Sequence, residues 1–395
     1  MNCAFISRAG LYSNIAAIKE KIGDGCRLAA VIKGDAYGHG MMEVAVALEK
    51  CPDVHMLVVS SFEEALQVSG SVVRKEILIL NRIFPDSIKT ALSRLDTQER
   101  RRLISQCVFS AYRISDLKWL DDLSISYGEC FKVHIRLDFS SGMRGFDRPH
   151  YEEMMGVLKL FEHLSVCGMY AHVYSAYTDI KEARADINEY SGVFLSLPAS
   201  LREKLLLHML SSASYFRFPE ARFDMVRIGA DIYGMPNGAD PSEAFAPALV
   251  SPIMSIRATV VSCSDTGRGS RADYEGYLPD DVRRVALISI GNWDIPGFFL
   301  KYAKDSKRHV RIGRYLCRIV GAPCMDTLCA DITDIEDISP GDTVWIMDEE
   351  DGIRLKDWLG HSGLTFGDCQ MLFSGMARVP KVLREEPSYP KGQNC

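Results

Sequence analysis

The sequence predicts an α/β protein, a (β/α)8 barrel of the TIM type followed by a C-terminal domain that is mainly β. From residue 27 to about 234, short apolar runs alternate with longer helical patterns. After about residue 243, strand-like runs follow one another with only loops between them. The length of 395 residues suits two domains, since a barrel of this type takes about 250 residues.

Eight apolar, β-branched runs account for the barrel. Continuous apolar runs are typical of strands buried on both faces, and stretches such as residues 149–164 supply the helical crossovers. The eight runs are residues 27–33, 56–61, 75–81, 107–112, 131–138, 166–173, 206–214 and 225–234. We expect residues 1–240 to form the barrel and residues 241–395 to form the β domain.

Composition and charge indicate the class of partner. The hydrophobic fraction of 47% and the charged fraction of 25% are those of a soluble globular protein. The net charge is −6, and the Lys and Arg residues are scattered, so we expect small-molecule partners rather than nucleic acid or membrane. Twelve dispersed cysteines without paired CxxC spacing favour reduced thiols over disulfides or a metal site. The first residues lack a long apolar segment, so we expect a cytoplasmic protein.

Lys33 ends the first apolar run. The active site of a β/α barrel forms at the C-terminal ends of its strands, so this lysine is expected at the barrel mouth. Burial there would lower its pKa toward that of a useful nucleophile and base. The alternative is a solvated lysine at a strand end, and the run alone does not decide between the two.

Three segments of the sequence favour a catalytic role for Lys33: AVIKGDAYGHG (30–40), FDMVRIGADIYGM (223–235) and GAPCMDTLCADIT (321–333). Together they resemble segments of the alanine racemases, which are fold-type III pyridoxal-phosphate enzymes. The first resembles the lysine segment of that family, and the second resembles its eighth-strand segment. The third resembles its Met-Asp substrate loop. The segments occur in family order. The resemblance implies an amino-acid racemase that uses pyridoxal 5'-phosphate and works as a homodimer with shared active sites.

The resemblance assigns the cofactor contacts residue by residue. Lys33 corresponds to the Schiff-base lysine, and Tyr37 to the tyrosine that contacts the cofactor phosphate. Arg227 corresponds to the arginine that faces the pyridine nitrogen. Since a guanidinium does not give up its proton, the ring nitrogen would stay unprotonated, which weakens the electron sink and suits a racemase.

Four further residues are implied at the cofactor. His172 matches the histidine that supports the arginine, although a lone histidine in an apolar segment would otherwise be assigned to the core. Ser212 falls where the family has a serine at the phosphate. Gly229 and Ala230 would offer backbone N–H groups to the same phosphate.

The second catalytic base is a tyrosine from the partner subunit's β domain in this family. The segment from residue 264 to 294 departs from the usual pattern, in which a Tyr-Gly pair precedes a strand that ends in Gly-Tyr. Counting back from Gly291 places Tyr274 one residue from the expected position, and Tyr277 lies further away. We take Tyr274 as the candidate, with Tyr277 as the alternative.

Other positions also depart from the family pattern. Arg136 stands where the family has a carbamylated lysine, and an arginine cannot carry a carbamate. Arg144 is the candidate for the arginine near the substrate carboxylate. Asn292 and Ala377 stand in place of two tyrosines, and this loss of volume predicts a pocket for a substrate larger or more polar than alanine, such as serine, or a broad specificity.

Three functions are therefore open at this stage. The first is a racemase in which Lys33 and Tyr274 move a proton at Cα, with Met325 and Asp326 in the substrate loop and Asn292 at the entrance. The second is another fold-type III reaction, either an amino-acid decarboxylation or an aldol cleavage. The third is a non-catalytic pyridoxal-phosphate carrier, which the β domain argues against because known carriers of this fold type are single barrels.

Overall fold

The computed structural model describes residues 2–235, 250–267, 269–271, 278–295, 308–362, 373, 376 and 379–385. Strands are numbered β1 to β16 and helices α1 to α11 in chain order over these residues. The chain divides into two compact units. One comprises residues 1–14, 35–43 and 233–395, and the other comprises residues 15–34 and 44–232.

Eight parallel strands form the sheet of the second unit. They are β2 (Arg27–Val31), β3 (Val54–Val59), β4 (Glu76–Ile79), β5 (Cys107–Ala111), β6 (Phe131–Arg136), β7 (Leu164–Tyr170), β8 (Leu206–His208) and β9 (Met225–Ile228). Their order is β8-β7-β6-β5-β4-β3-β2-β9, and a parallel bridge between Ser211 and Arg227 joins the two ends. The predicted eight-stranded parallel barrel is confirmed.

Buried apolar side chains explain why these segments form strands. Every residue of β5 is buried, as are five of the six residues of β3, so both faces of these strands are covered. Burying one Val, Leu or Ile side chain contributes about 1.5–3 kcal/mol. Strand β8 is shorter than its apolar run, because the backbone N–H of Ser211 donates to Ser214 Oγ at 2.9 Å and the chain turns there.

Helices supply the crossovers, and polar side chains fix where several of them begin. They are α1 (Arg8–Ile22), α3 (Met41–Glu49), α4 (Phe62–Ser69), α5 (Pro85–Ser93), α6 (Thr97–Gln106), α7 (Ile114–Tyr127), α8 (Arg148–Val157), α9 (Ile180–Ser196) and α10 (Ala199–Arg202). Ser61 and Asp96 start α4 and α6 with reciprocal side-chain caps. Gly128 ends α7 with a φ of 64°, the left-handed conformation that glycine tolerates.

The other unit contains a second, mainly antiparallel sheet. Its strands are β1 (Cys3–Ser7), β10 (Met254–Asp265), β11 (Arg284–Ile288), β12 (His309–Ile312), β13 (Tyr315–Val320), β14 (Leu328–Asp331), β15 (Thr343–Met347) and β16 (Lys381–Arg384). Their order is β11-β14-β13-β12-β15-β10-β1-β16, and β10 also pairs with β11. Helix α11 (Leu355–Ser362) follows β15. The predicted second domain of mainly β structure is confirmed.

The first strand of the chain lies in this second sheet. Strand β1 pairs with β10 in antiparallel fashion and with β16 in parallel fashion. The pairing of β1 was not predicted from the sequence, because five apolar residues do not specify which sheet a strand joins. The predicted boundary at residues 240 and 241 falls among residues 236–249, outside the described residues, and stays a prediction. No helix in the described ranges is both long and apolar enough to cross a membrane.

Candidate active site

The barrel strands bring the predicted cofactor residues to one rim. Lys33 follows β2, and Arg136 is the last residue of β6. Arg227 lies in β9, His172 follows β7 and Ser212 follows β8. Because all barrel strands are parallel, their C-terminal ends meet at the same end of the barrel, which is where β/α barrels carry their chemistry.

An unusual turn directly follows the start of the lysine segment. Helix α2 (Lys33–Tyr37) is left-handed, because Gly34, Asp35, Ala36 and Tyr37 have φ values of 62°, 55°, 54° and 55°. Only glycine adopts the left-handed helical conformation without a penalty in conformational energy. For successive non-glycine residues the penalty is about 1–2 kcal/mol each. The turn must therefore be held by its surroundings.

Contacts within one unit hold the far end of α2. The backbone N–H of Met41 donates to Asp35 Oδ1 at 2.8 Å, and Lys381 Nζ lies 3.3 Å from Asp35 Oδ2. The ring of Tyr233 lies 5.5 Å from that of Tyr37 and stacks at 4.6 Å on the buried ring of His39. Tyr37 is thus fixed in place four residues after Lys33, and its role at the phosphate stays a proposal.

The environment of Lys33 favours a neutral amine. Burial lowers its pKa below the ordinary lysine value, and the nearby positive charges of Arg227 and Arg136 lower it further, whereas the carboxylate of Glu64 raises it. A larger neutral fraction at neutral pH is what a lysine needs to act as nucleophile and base.

Arg227 is a buried cation with most of its donors engaged. Its Nη1 donates to His208 Nδ1 at 2.5 Å, and its Nη2 donates to the carbonyl oxygen of Ala171 at 2.8 Å. Its guanidinium also lies 5.0 Å from the ring of Tyr170. Burial lowers the pKa of Arg227 to about 10, so the guanidinium stays protonated at neutral pH. His172 Nδ1 is 3.5 Å from Nη2, a much longer separation than that of His208.

Two buried histidines form a chain behind this arginine. Since Arg227 can only donate, His208 accepts at Nδ1, and its Nε2–H then donates to His134 Nδ1 at 3.0 Å. Burial lowers the pKa of His134 to about 3 and that of His208 well below 6.5. Both rings are therefore neutral, and Arg227 is the only cation in the chain of three.

The His134 ring depends on a glycine beside it. A Cβ added to Gly168 would lie 2.4 Å from His134 Nε2. We expect Gly168→Ala to displace the ring from His208 and to lower the free energy of unfolding by about 1–3 kcal/mol, measured by urea denaturation. Gly192→Ala is the matched control, since no atom lies within 4 Å of the added Cβ and alanine favours its helix α9. Equal stabilities of the two variants would contradict the steric argument.

Small residues lie together after β8 and β9. The backbone N–H of Gly229 donates to Ser212 Oγ at 3.1 Å. Gly229 and Ala230 are buried, and Ser212 is half-buried. A hydroxyl and small residues at successive backbone N–H groups are suited to bind a phosphate. The structure thus brings these three predicted phosphate residues together, and their role stays a proposal.

Arg136 and Arg144 share a tyrosine that the sequence analysis did not select. Arg136 is buried, and its Nη2 donates to Tyr174 Oη at 2.7 Å while Nη1 donates to Tyr112 Oη at 3.1 Å. The guanidinium of Arg144, an exposed residue, lies 5.1 Å from the ring of Tyr174. The backbone N–H of Arg144 donates to Asp138 Oδ2 at 2.8 Å, so this loop has a fixed conformation. Tyr174 thus links the two arginines.

Two loops of the unit that contains the mainly antiparallel sheet are hydrogen-bonded to each other. The N–H of Asn292 donates to the carbonyl oxygen of Cys324 at 2.9 Å, and the N–H of Trp293 donates to that of Met325 at 2.7 Å. A Cβ on Gly291 would lie 2.5 Å from the Cys324 oxygen, so only glycine fits there. The loops that carry Asn292, Met325 and Asp326 therefore form one surface.

Comparison with protein-family models identifies the family. The model of the alanine racemase N-terminal domain matches residues 6–236, and that of the C-terminal domain matches residues 253–382. The chain belongs to the alanine racemase family. The expected resemblance is confirmed, and with it, at the level of the family, a racemase-type enzyme that uses pyridoxal 5'-phosphate.

Individual alanine racemases agree with this assignment over nearly the whole chain. The alanine racemase of Syntrophobacter fumaroxidans is 28% identical over 87% of this chain and 86% of its own. That of Geobacter sulfurreducens is 27% identical over 96% of each chain. The structure of alanine racemase from Clostridium difficile has a TM-score of 0.77 at 23% identity, covering 98% of this chain and 96% of that one. The alanine racemase from Bartonella henselae with covalently bound pyridoxal phosphate has a TM-score of 0.75 at 19% identity, covering 97% and 99%. These two structures support the fold.

The rim residues of this alanine racemase family member fit the cofactor. Lys33 offers an amine for the aldehyde. The hydrogen bonds of the described residues engage Nη1 and Nη2 of Arg227 but not its Nε, which is left to donate to a ring nitrogen. The Ser212 hydroxyl accepts the Gly229 N–H and would still have its own proton to donate to the phosphate.

Four residues at or behind the rim were not predicted from the sequence: His208, His134, Tyr174 and Glu64. The signal for the histidines was a polar ring inside an apolar strand run, which indicates a buried partner. No comparable signal marks Tyr174, since an aromatic residue after a strand is common. Tyr274, Tyr277 and Ala377 lie outside the described residues, and their roles stay predictions.

Proposed function

We propose that the protein interconverts the L and D forms of an amino acid with bound pyridoxal 5'-phosphate. The observation that supports this most is the pairing of Lys33, whose pKa burial lowers, with the buried cation Arg227 at one barrel rim. Bound there, the cofactor supplies an aldehyde that links to amines and a ring that withdraws electrons from Cα. The residues of the chain then determine which bond at Cα is broken.

Lys33 is proposed to hold the cofactor and to move a proton on one face of the substrate Cα. Its neutral amine fraction would serve the first task, and the same amine, when not linked to the cofactor, would serve as the base in the second. Arg227 would donate a hydrogen bond but no proton to the ring nitrogen of the cofactor, because its pKa of about 10 keeps it charged at neutral pH. By leaving the ring nitrogen without a proton, Arg227 would weaken the electron sink, which suits a racemase that returns each proton it removes.

The proton on the opposite face is assigned to Tyr274 of the partner subunit, and Tyr277 is the alternative. Racemisation needs one acid or base on each face. In the proposed homodimer, the β domain of each subunit serves the barrel of the other, which also brings Met325 and Asp326 to the substrate. We propose that this dimer works in the cytoplasm. Its two sites are related by a twofold axis.

The substrate carboxylate is assigned to Arg144, positioned through Tyr174. A bidentate guanidinium is well suited to a carboxylate. Family members use a carbamylated lysine to orient the corresponding arginine, and Arg136 cannot serve in that way. The contact of Tyr174 with both arginines supports an alternative route to the same orientation.

The proposed pocket is more open than that of a typical alanine racemase. Asn292 Nδ2 donates to the carbonyl oxygen of Pro323 at 2.8 Å, so this side chain is bound within its own domain, and it is smaller than a tyrosine. Ala377 would leave more space. We propose that an amino acid longer or more polar than alanine, such as serine, is accepted at least as well as alanine.

Incubation of the purified protein with single L-amino acids in deuterated water tests both proposals. We expect the D form to appear with deuterium at Cα, and kcat/KM for serine to equal or exceed that for alanine. Release of carbon dioxide or an aldehyde would instead indicate a decarboxylase or an aldolase, and no reaction despite bound cofactor would indicate a carrier. A preference for alanine above tenfold, about 1.4 kcal/mol in transition-state binding, would contradict the open pocket.

A further inference from the structure

The near end of the left-handed turn is held by a carboxylate from another helix. Glu64, on α4, accepts the backbone N–H of Gly34 at 2.8 Å through Oε1. Through Oε2 it accepts the N–H of Ser60 at 2.7 Å and that of Ser61 at 3.3 Å. Hydrogen bonds to an ionised acceptor are stronger than those between neutral groups. One side chain thus connects the end of β3 to the residue after Lys33.

Helix capping explains only part of this arrangement. Ser61 and Glu64 form the reciprocal cap of α4, and that motif needs a single carboxylate oxygen on the N–H of Ser61. The other oxygen, Oε1, reaches a backbone group 30 residues earlier in the chain. Glu63, the preceding residue, is exposed and makes no hydrogen bond or ion pair with the described residues. The contact with Gly34 is therefore specific to Glu64.

The contact lies where the backbone changes hand. Gly34 is the first of five successive residues with positive φ, which end at Gly38, and Lys33 immediately precedes it. A fixed N–H at Gly34 sets the peptide plane between Lys33 and Gly34, and so the direction in which the lysine side chain leaves the backbone. Without that bond, the strain of the following residues would favour rearrangement of this peptide.

We propose that Glu64 is a positioning residue for Lys33, which it orients by holding the Gly34 N–H at the start of the left-handed turn. Only the predicted effect of Glu64 on turnover rests on the proposed function. The effect on the turn itself belongs to the protein as folded and can be measured without substrate.

Glu64 also acts on the lysine by its charge. Burial is the largest influence on the pKa of the Lys33 amine and lowers it. Of the three nearby charged groups, Arg227 and Arg136 lower this pKa and Glu64 raises it. Removal of the Glu64 charge therefore lowers the pKa of Lys33 further. This shift follows from the charge of Glu64, whereas the change in the turn follows from its hydrogen bond to the Gly34 N–H.

Glu64→Gln tests the proposal, with Glu63→Gln as the matched control on the same helix. A glutamine has one acceptor oxygen, so it cannot hold both Gly34 and Ser60. By hydrogen–deuterium exchange of the purified protein, we expect the peptide covering residues 33–41 to exchange about tenfold faster in Glu64→Gln and at the wild-type rate in Glu63→Gln. After removal of the cofactor from the full-length protein, the pH profile of Lys33 modification by an amine-reactive reagent should shift to lower pH in Glu64→Gln alone. In the cofactor-loaded enzyme, kcat should fall more than KM rises.

Wild-type exchange over residues 33–41 in Glu64→Gln, with an unshifted Lys33 profile, would overturn the proposal. If Glu64→Gln does not fold, Glu64→Asp serves instead, because it keeps the charge but is too short to reach both groups. Faster exchange without an altered Lys33 profile is expected there, and unchanged exchange would count against the proposal. Hydrogen–deuterium exchange is measured without substrate. A wild-type protein that does not racemise amino acids would therefore refute the proposed function without affecting the exchange result for residues 33–41.

Discussion

Replacing Lys33 with alanine is expected to abolish both cofactor fixation and turnover. The amine that links to the aldehyde and the base on one face of Cα are the same group, so both are lost together. Loss of a general base alone costs about 100-fold to 10,000-fold in rate. We therefore expect kcat of Lys33→Ala to fall by at least about 1,000-fold. The yellow absorbance of the purified protein should disappear as well.

Borohydride reduction followed by peptide mapping gives the direct measurement. The pyridoxyl group should be found on the peptide that contains Lys33 in the wild type and on no lysine of the variant. Lys50→Ala is the control, since Lys50 is an exposed lysine that follows α3, and its variant should retain colour and activity. A reduced pyridoxyl group on a different lysine of the wild type would refute the assignment.

The barrel could be predicted because its signal is local and repeated. Each of the eight apolar runs overlaps a strand of the parallel sheet, since strands buried on both faces need continuous apolar sequence, although β3 and β7 each begin two residues before the predicted run. Strand β1 shows the limit of this signal. Its pairing with β10 and β16 depends on residues about 250 and 380 positions later in the chain, and nothing in five apolar residues specifies those partners.

The site could be predicted only where a motif fixed the residues. Lys33 and Arg227 were selected by sequence segments and lie at the same barrel rim. His208 was not, because its contact with Arg227 depends on the register between β8 and β9. Glu64 was not selected either, because its place in the reciprocal cap of α4 already accounts for a glutamate at this position. Contacts that join distant backbone groups leave little trace in the sequence.

The left-handed turn illustrates why geometry adds to a motif. The sequence shows that Gly-Asp-Ala-Tyr-Gly follows the lysine, but propensities do not predict five successive positive φ values, three of them at non-glycine residues. The cost of such a conformation must be offset by contacts, and those contacts identify Asp35 and Glu64 as structural determinants of the site.

Mixing two inactive variants is expected to restore activity if the sites are shared between subunits. In a heterodimer of Lys33→Ala and Tyr274→Phe, one site combines the intact Lys33 of the second subunit with the intact Tyr274 of the first. The other site lacks both groups. Random exchange of equal amounts makes half of the dimers mixed, so roughly a quarter of wild-type activity should return. If each site used residues of one subunit only, every site in the mixture would be incomplete.

Subunit exchange must be shown independently, by mass spectrometry of differently tagged chains, before kcat is measured. The matched control mixes Lys33→Ala with Arg227→Gln, since both changes lie in the barrel unit and leave each site of the heterodimer with one defect. That mixture should stay inactive. Activity that returns in the test mixture but not in the control mixture supports a shared site and the choice of Tyr274. The Tyr277→Phe variant distinguishes the two tyrosines, because it is expected to be active before any mixing. Proven exchange without any recovery would exclude a site built from two subunits.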